Sequence, residues 1–179
     1  MSSAVQKSQS FIARHGRKID QARFAFHFSG GSQAVLLEAL AAYQNADGGF
    51  GHGLEIDIDA PASNPFASEL ALQYCLEAKI SAADPLVQKL VAYFEETQAE
   101  DGCWRFSPAV YDHPMAPWFQ GWTWPNLNPS RIIAGFLREY GLGSARLHRR
   151  VAALFQQWTN LGEFIEGEFY AVRAYAHYF

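Results

Sequence analysis

The chain has 179 residues, of which 49% are hydrophobic and 18% charged. That length and composition exclude a disordered chain and suffice for one domain with a proper core. A net charge of −4 and a pI near 5.8 give no nucleic-acid footprint at the level of the whole chain.

The opening stretch from Met1 to Lys7 is polar and lacks an apolar h-region, so no signal peptide is expected. No long apolar run follows, so no membrane span is expected either. Cys75 and Cys103 are few and far apart. They fit a reducing compartment and predict a cytoplasmic protein without a disulfide framework. Two basic runs, Arg14 to Lys18 and Arg146 to Arg150, read as solvated helix faces or ends.

Residues 4 to 28 form a weakly patterned helical stretch, broken at Gly16 and ended by Gly30-Gly31. Ser32 is an N-cap type, and Val35, Leu36, Ala39, Leu40 and Tyr43 recur at helical spacing. Residues 33 to 45 therefore read as a helix with one apolar face. Residues 52 to 64 are an irregular loop. Asn64-Pro65 then starts a helix to about Lys79 that is apolar around most of its circumference. Asp84-Pro85 repeats the start signal for a one-sided helix up to Phe94.

Residues 106 to 127 read as a second, longer loop rich in Trp, Pro and Tyr. Asn128-Pro129 reads as a copy of Asn64-Pro65, opening a second near-uniformly apolar helix through Leu137. Ser144 caps a one-sided helix through Trp158, and residues 168 to 179 read as a third mostly apolar helix. No convincing strand is present. Helices buried on both sides alternate with helices buried on one, which predicts an inner layer shielded by an outer one.

A motif punctuates this pattern. Gln44-Asn-Ala-Asp47-Gly48-Gly49-Phe50 returns as Gln98-Ala-Glu-Asp101-Gly102-Cys103-Trp104. Both read Gln-x-x-Asp-Gly-x-aromatic and both follow an apolar helical run. The glycine permits a sharp turn, the Asp can accept from nearby backbone N–H groups, and the aromatic folds back onto the helix just left.

On these residues the chain resembles the terpenoid cyclase and protein prenyltransferase superfamily over about residues 32 to 179. The copy at Gln98 is similar to the Gln-Trp motif of squalene and hopene cyclases. The copy at Gln44 is similar to the Gly-Gly-Phe turns of prenyltransferase β-subunits. Tyr43 to Asp59 followed by Asn64-Pro65 also resembles a group of bacterial prenyltransferase-like proteins. The resemblance implies an all-α fold, an α/α toroid of inner and outer helices. A complete toroid has about six hairpins and this chain supplies about three, a half-toroid. The organisation expected is a single domain over 1–179. Residues 1–31 are a helical extension, with repeats near 32–80, 84–141 and 144–179. The third repeat lacks the motif, and the chain stops at Phe179 inside an apolar helix. That predicts either a truncated piece or an open side covered by a further copy in a homo-oligomer.

The superfamily's catalytic signatures do not carry over. Glu55-Ile-Asp57-Ile-Asp59 is acidic but is not the cyclase Asp-x-Asp-Asp. Asp101-Gly102-Cys103 spells the prenyltransferase zinc motif but falls in the Gly turn, on the wrong element. No metal ligand set is assigned, and no cofactor is named.

In a toroid the two loops converge at one mouth of the cavity. The first offers His52, Glu55, Asp57 and Asp59. If extended, it places the three carboxylates on one side and Ile56 and Ile58 on the other. Crowded carboxylates can supply a general acid or hold a hard cation. They can equally form a solvent-facing loop anchored by the two isoleucines. The second loop offers Tyr111, Asp112, His113, Trp118, Trp122 and Trp124. These can line a pocket for an apolar or flat ligand, or they can plug the mouth. His177 reads as a core histidine, and Ser68 and Ser130 have no visible His–Asp partners.

Two functions stay open at this point. One is an enzyme acting on a lipophilic or bulky small molecule, with Glu55, Asp57 or Asp59 as the acid or metal site. The other is a non-catalytic module whose mouth binds a peptide, glycan or partner protein.

Overall fold

The structure, a computed structural model, describes residues 3–158 and Ala176. Among the described residues there are nine helices and no sheet, with two isolated bridges the only strand-like pairing. The all-α expectation is met. No helix among them is long and apolar enough to cross a membrane. By contacts the chain divides into two compact units, Met1–Tyr43 and Gln44–Phe179.

The first unit holds α1 (Ser3–His15), α2 (Lys18–Phe28) and α3 (Gln33–Ala41). The break expected at Gly16 separates α1 from α2. Asp20 closes the start of α2 by accepting from the Arg17 backbone N–H at 3.0 Å and from the Arg17 guanidinium. Ser32 caps α3 by accepting from the Val35 N–H at 3.3 Å. The α3 helix stops short of residue 45, because Tyr43 N–H turns back to the Leu40 carbonyl. In this unit α2 packs on α3, and Ile19, Ala22, Leu36 and Leu40 are buried.

The second unit holds α4 (Pro65–Glu77), α5 (Pro85–Thr97), α6 (Pro108–Tyr111), α7 (Pro117–Gln120), α8 (Ser130–Glu139) and α9 (Ala145–Trp158). Local chemistry sets most of these starts. Asn64 Oδ1 accepts from Ala67 N–H at 2.9 Å, and Pro65 occupies the first turn of α4. Asp84 does the same for α5 through Leu86 N–H, and Ser144 for α9 through Leu147 N–H.

The alternation of helix types holds. The α4 helix buries Phe66, Ala67, Ser68, Glu69, Ala71, Leu72, Tyr74 and Cys75, and α8 buries every residue from Ser130 to Leu137. By contrast α5 buries the one-sided set Leu86, Val87, Leu90, Tyr93 and Phe94, and α9 buries Leu147, Val151 and Leu154. Packing follows: α4 contacts both α5 and α8, and α8 also contacts α9. Even Arg131 is fully buried on α8, its guanidinium carbon 3.7 Å from the Phe155 ring centroid.

The two motif copies fold alike. Gly49 N–H and Cys103 N–H donate to Asp47 and Asp101 at 3.0 and 3.1 Å. Gly48 and Gly102 adopt φ of +87° and +90°. A Cβ on either would lie 2.2 Å from the Lys89 carbonyl oxygen or 2.4 Å from that of Arg150. Only glycine lets the turn approach the next one-sided helix that closely. The Gln side chains complete the link, from Gln44 to the Leu86 carbonyl and from Gln98 to that of Leu147. Trp104 packs back on α5 as expected, its indole N–H donating to the Phe94 carbonyl at 2.8 Å.

Two local expectations need correction. The stretch 106–127 is not loop throughout: α6 and α7 interrupt it, each opening on a proline whose fixed φ suits a first helical turn. Asn128-Pro129 does not copy Asn64-Pro65. Its peptide bond is cis, Pro129 is itself the N-cap of α8, and Asn128 makes no cap bond. The predicted helix over 168–179, His177 and the expected oligomer face fall outside the described residues, Ala176 excepted.

Candidate functional site

The two loops meet. Asp59 N–H donates to the Pro114 carbonyl at 2.9 Å and Ala116 N–H to the Asp57 carbonyl at 2.8 Å. These bonds flank the isolated bridge between Ile58 and Met115. The first loop is also tied to the Gly turn. Asn45 donates to the Pro61 carbonyl and to Ser63, whose hydroxyl donates to Asp47 at 2.7 Å.

Beneath the junction Ile58, Ala60, Phe66, Phe106, Val110 and Phe119 form a buried cluster, with Trp122 and Trp124 packed against it. Phe66 is its hub. Its ring centroid lies 4.7 Å from that of Phe119 and 5.2 Å from that of Trp122, both edge to face.

At the edge of this cluster is a cleft of about 180 Å³. Its carboxylates are Glu55, Asp57 and Glu69, its rings Phe66, Trp118, Phe119 and Trp122, and Asn128 completes the wall. Glu69 is 4% exposed and Asn128 8%. Trp118 is 59% exposed, and its ring meets no other ring among the described residues. Among the described residues the buried Oδ1 of Asn128 and Nε1 of Trp122 have no hydrogen-bond partner. An acidic wall facing indoles attracts positive charge and hydrogen-bond donors.

The sequence candidates therefore separate. Glu55, Asp57, Trp118 and Trp122 come together. Asp59 does not join them: it is exposed and outside the cleft. The predicted alternation fails because the loop is turned, with Leu54 N–H bonded to the Gly51 carbonyl and Ile58 N–H to that of Glu55. Leu54 and Ile58 point inward and Ile56 is 72% exposed, so the isoleucines do not share a side.

His52 is outside the cleft, its Nε2 2.8 Å from Asn45 Oδ1. Tyr111 packs edge to face on Phe106, and Trp124 on the same ring. Asp112 and His113 follow α6, outside the cleft. Sequence reasoning missed Glu69, Phe66, Phe119 and Asn128. Glu69 was detectable as the lone acid early in a helix otherwise apolar all round.

Cys103 is fully buried in the second Gly turn. Burial pushes its thiol pKa up, and Sγ lies 3.2–3.3 Å from the backbone N–H and carbonyl of Asn126. Among the described residues no three His, Cys, Asp or Glu side chains are grouped to hold a metal ion.

A larger groove of about 680 Å³ runs along α2 and α3 in the first unit, walled by Ala22, Ala25, Ala39 and Ala42. It has no ring cage and no convergent acids.

No family model, curated protein or solved structure matches the chain. The functional reading therefore rests on the geometry of the cleft and on the repeated turns.

Proposed function

We propose that the protein is a non-catalytic ligand-binding module with an α/α-toroid type of helical repeat, and that the cleft at Asp57 and Trp118 is its binding site. The two matching Gly turns and the alternation of buried and one-sided helices support the toroid. The partial toroid resembles that of terpenoid cyclases and prenyltransferases.

The observation that carries the binding reading is the closure of the aromatic cluster. Phe66, Phe106, Phe119 and Trp122 pack on one another and leave about 180 Å³. Pockets for drug-sized ligands run to roughly 300–1,000 Å³. The remaining space suits a small group and not a long lipophilic chain.

The test is a thermal-shift screen of small cationic, neutral and sugar-like compounds. A hit is expected to raise the Tm by a few degrees, to lose that effect in Trp118→Ala, and to be recovered unchanged by mass spectrometry. A hit converted to product overturns the non-catalytic reading.

Buried Glu69 favours a second reading, an enzyme using a carboxylic acid beside aromatic rings. On that reading Glu69→Gln, or Ala at Glu55 or Asp57, abolishes turnover without unfolding the chain.

A further inference from the structure

Two features of the cleft stand out beyond its size. The Asp57 carboxylate, half-buried, makes no hydrogen bond or ion pair among the described residues; the residue is engaged through its backbone, its N–H donating to Glu55 and its carbonyl accepting from Ala116 N–H. In the lining of the same cleft the Trp118 indole stands 59% exposed and unstacked among the described residues.

We propose that the cleft binds an alkylammonium cation, with its charge at Asp57 and its carbon groups against Trp118, Phe119 and Trp122. This rests on the reading of the cleft as a binding site.

The lining selects among ligand classes. No Lys, Arg or His lines the cleft while the Asp57 carboxylate does, so an anion is repelled. A neutral hydrocarbon would cover the half-buried Asp57 carboxylate and leave it without a partner, which is costly. A metal ion wants several oxygens at close range, and among the described residues no such group exists. An alkylammonium meets both surfaces: its charge satisfies the carboxylate, and its polarised C–H groups lie against the negative faces of the rings. The volume agrees, since about 180 Å³ is the space of roughly six waters at ~30 Å³ each. That admits a substituted ammonium head.

The experiment is titration calorimetry with tetramethylammonium chloride against its neutral near-isostere tert-butanol and against methyl glucoside. Tetramethylammonium is expected to bind, with affinity falling as NaCl is raised. Asp57→Asn, which keeps the shape, and Trp118→Ala, at an exposed position, are each expected to weaken binding about tenfold while leaving the circular dichroism unchanged. Unchanged affinity in both variants overturns the proposal, as does absence of tetramethylammonium binding. Equal binding of tert-butanol or methyl glucoside overturns the cation alone and leaves the binding cleft standing. The origin of the ammonium is read from n-butylammonium against a doubly capped lysine. Equal affinity supports a protein side chain as the occupant, and binding of the free amine alone supports a small metabolite.

Discussion

Gln98 donates its side-chain amide to the main-chain carbonyl of Leu147 at 3.1 Å, joining the second Gly turn to the start of α9. The same nitrogen lies 3.4 Å from the Gly102 carbonyl within its own turn. Gln44 makes the matching pair of bonds to Leu86 and Gly48, both at 3.0 Å. The Gln of the repeated motif is thus a clamp between a turn and the helix that packs over it.

Gln98 is 6% exposed, so its loss leaves buried carbonyls without a donor. Gln98→Ala is expected to cost about 1–3 kcal/mol, read as a lower urea midpoint with unchanged slope. Gln44 is only partly buried, and Gln44→Ala should cost less. Equal, negligible effects at both positions would contradict the clamp.

Glycine at 102 is required for two reasons, its φ of +90° and the Arg150 carbonyl that a Cβ would meet at 2.4 Å. Gly141 shares the first reason with φ of +68°, but nothing lies within 4 Å of its Cβ position. Gly141→Ala is expected to cost about 1–2 kcal/mol from backbone strain alone. Gly102→Ala is expected to cost clearly more, because α9 must also move away. Thermal unfolding of the two variants side by side checks the order.

Glu95 on α5 holds the start of α9. Burial alone would raise its pKa, but bonds from the Ser144 N–H and hydroxyl and from Arg146 outweigh that and hold it below its ordinary 4.5. A depressed carboxylate contributes stability that is complete above its unfolded value and is lost as pH falls through the folded one. Glu95→Gln is therefore expected to flatten the loss of stability as pH falls below 4.5. Asp20 and Asp101, whose Arg17 and Arg105 partners also depress them, keep part of that slope in the variant. An acid-unfolding series of wild type and variant reads the difference.

Both cysteines are expected to be inert in the folded protein. Burial, with Asp84 nearby, pushes the Cys75 thiol up to about 12. Burial also raises Cys103. A raised thiol stays protonated at neutral pH, and the thiolate is the reactive form. A disulfide reagent near pH 8 should label neither until denaturant is added. Fast labelling of the native protein would show that one of the two sites opens.

The chain's periodic and punctuating signals determined the helices. Asn64, Asp84 and Ser144 cap where their sequence context predicts, because a cap bonds backbone only a few residues away. The alternation of all-round and one-sided apolar helices likewise followed from the pattern of side chains along each helix, and so did the two Gly turns. The site was legible only in part. Which loop residues face a common cleft is set by turns and by bonds between distant segments, such as Ala116 N–H to the Asp57 carbonyl. Those bonds brought Asp57 to Trp118, left Asp59 outside, and added Glu69 from a helix that reads as pure core. Local pattern fixes a side chain's direction only where the backbone is regular. In the loops that direction was decided by the tertiary contacts that fold one against the other.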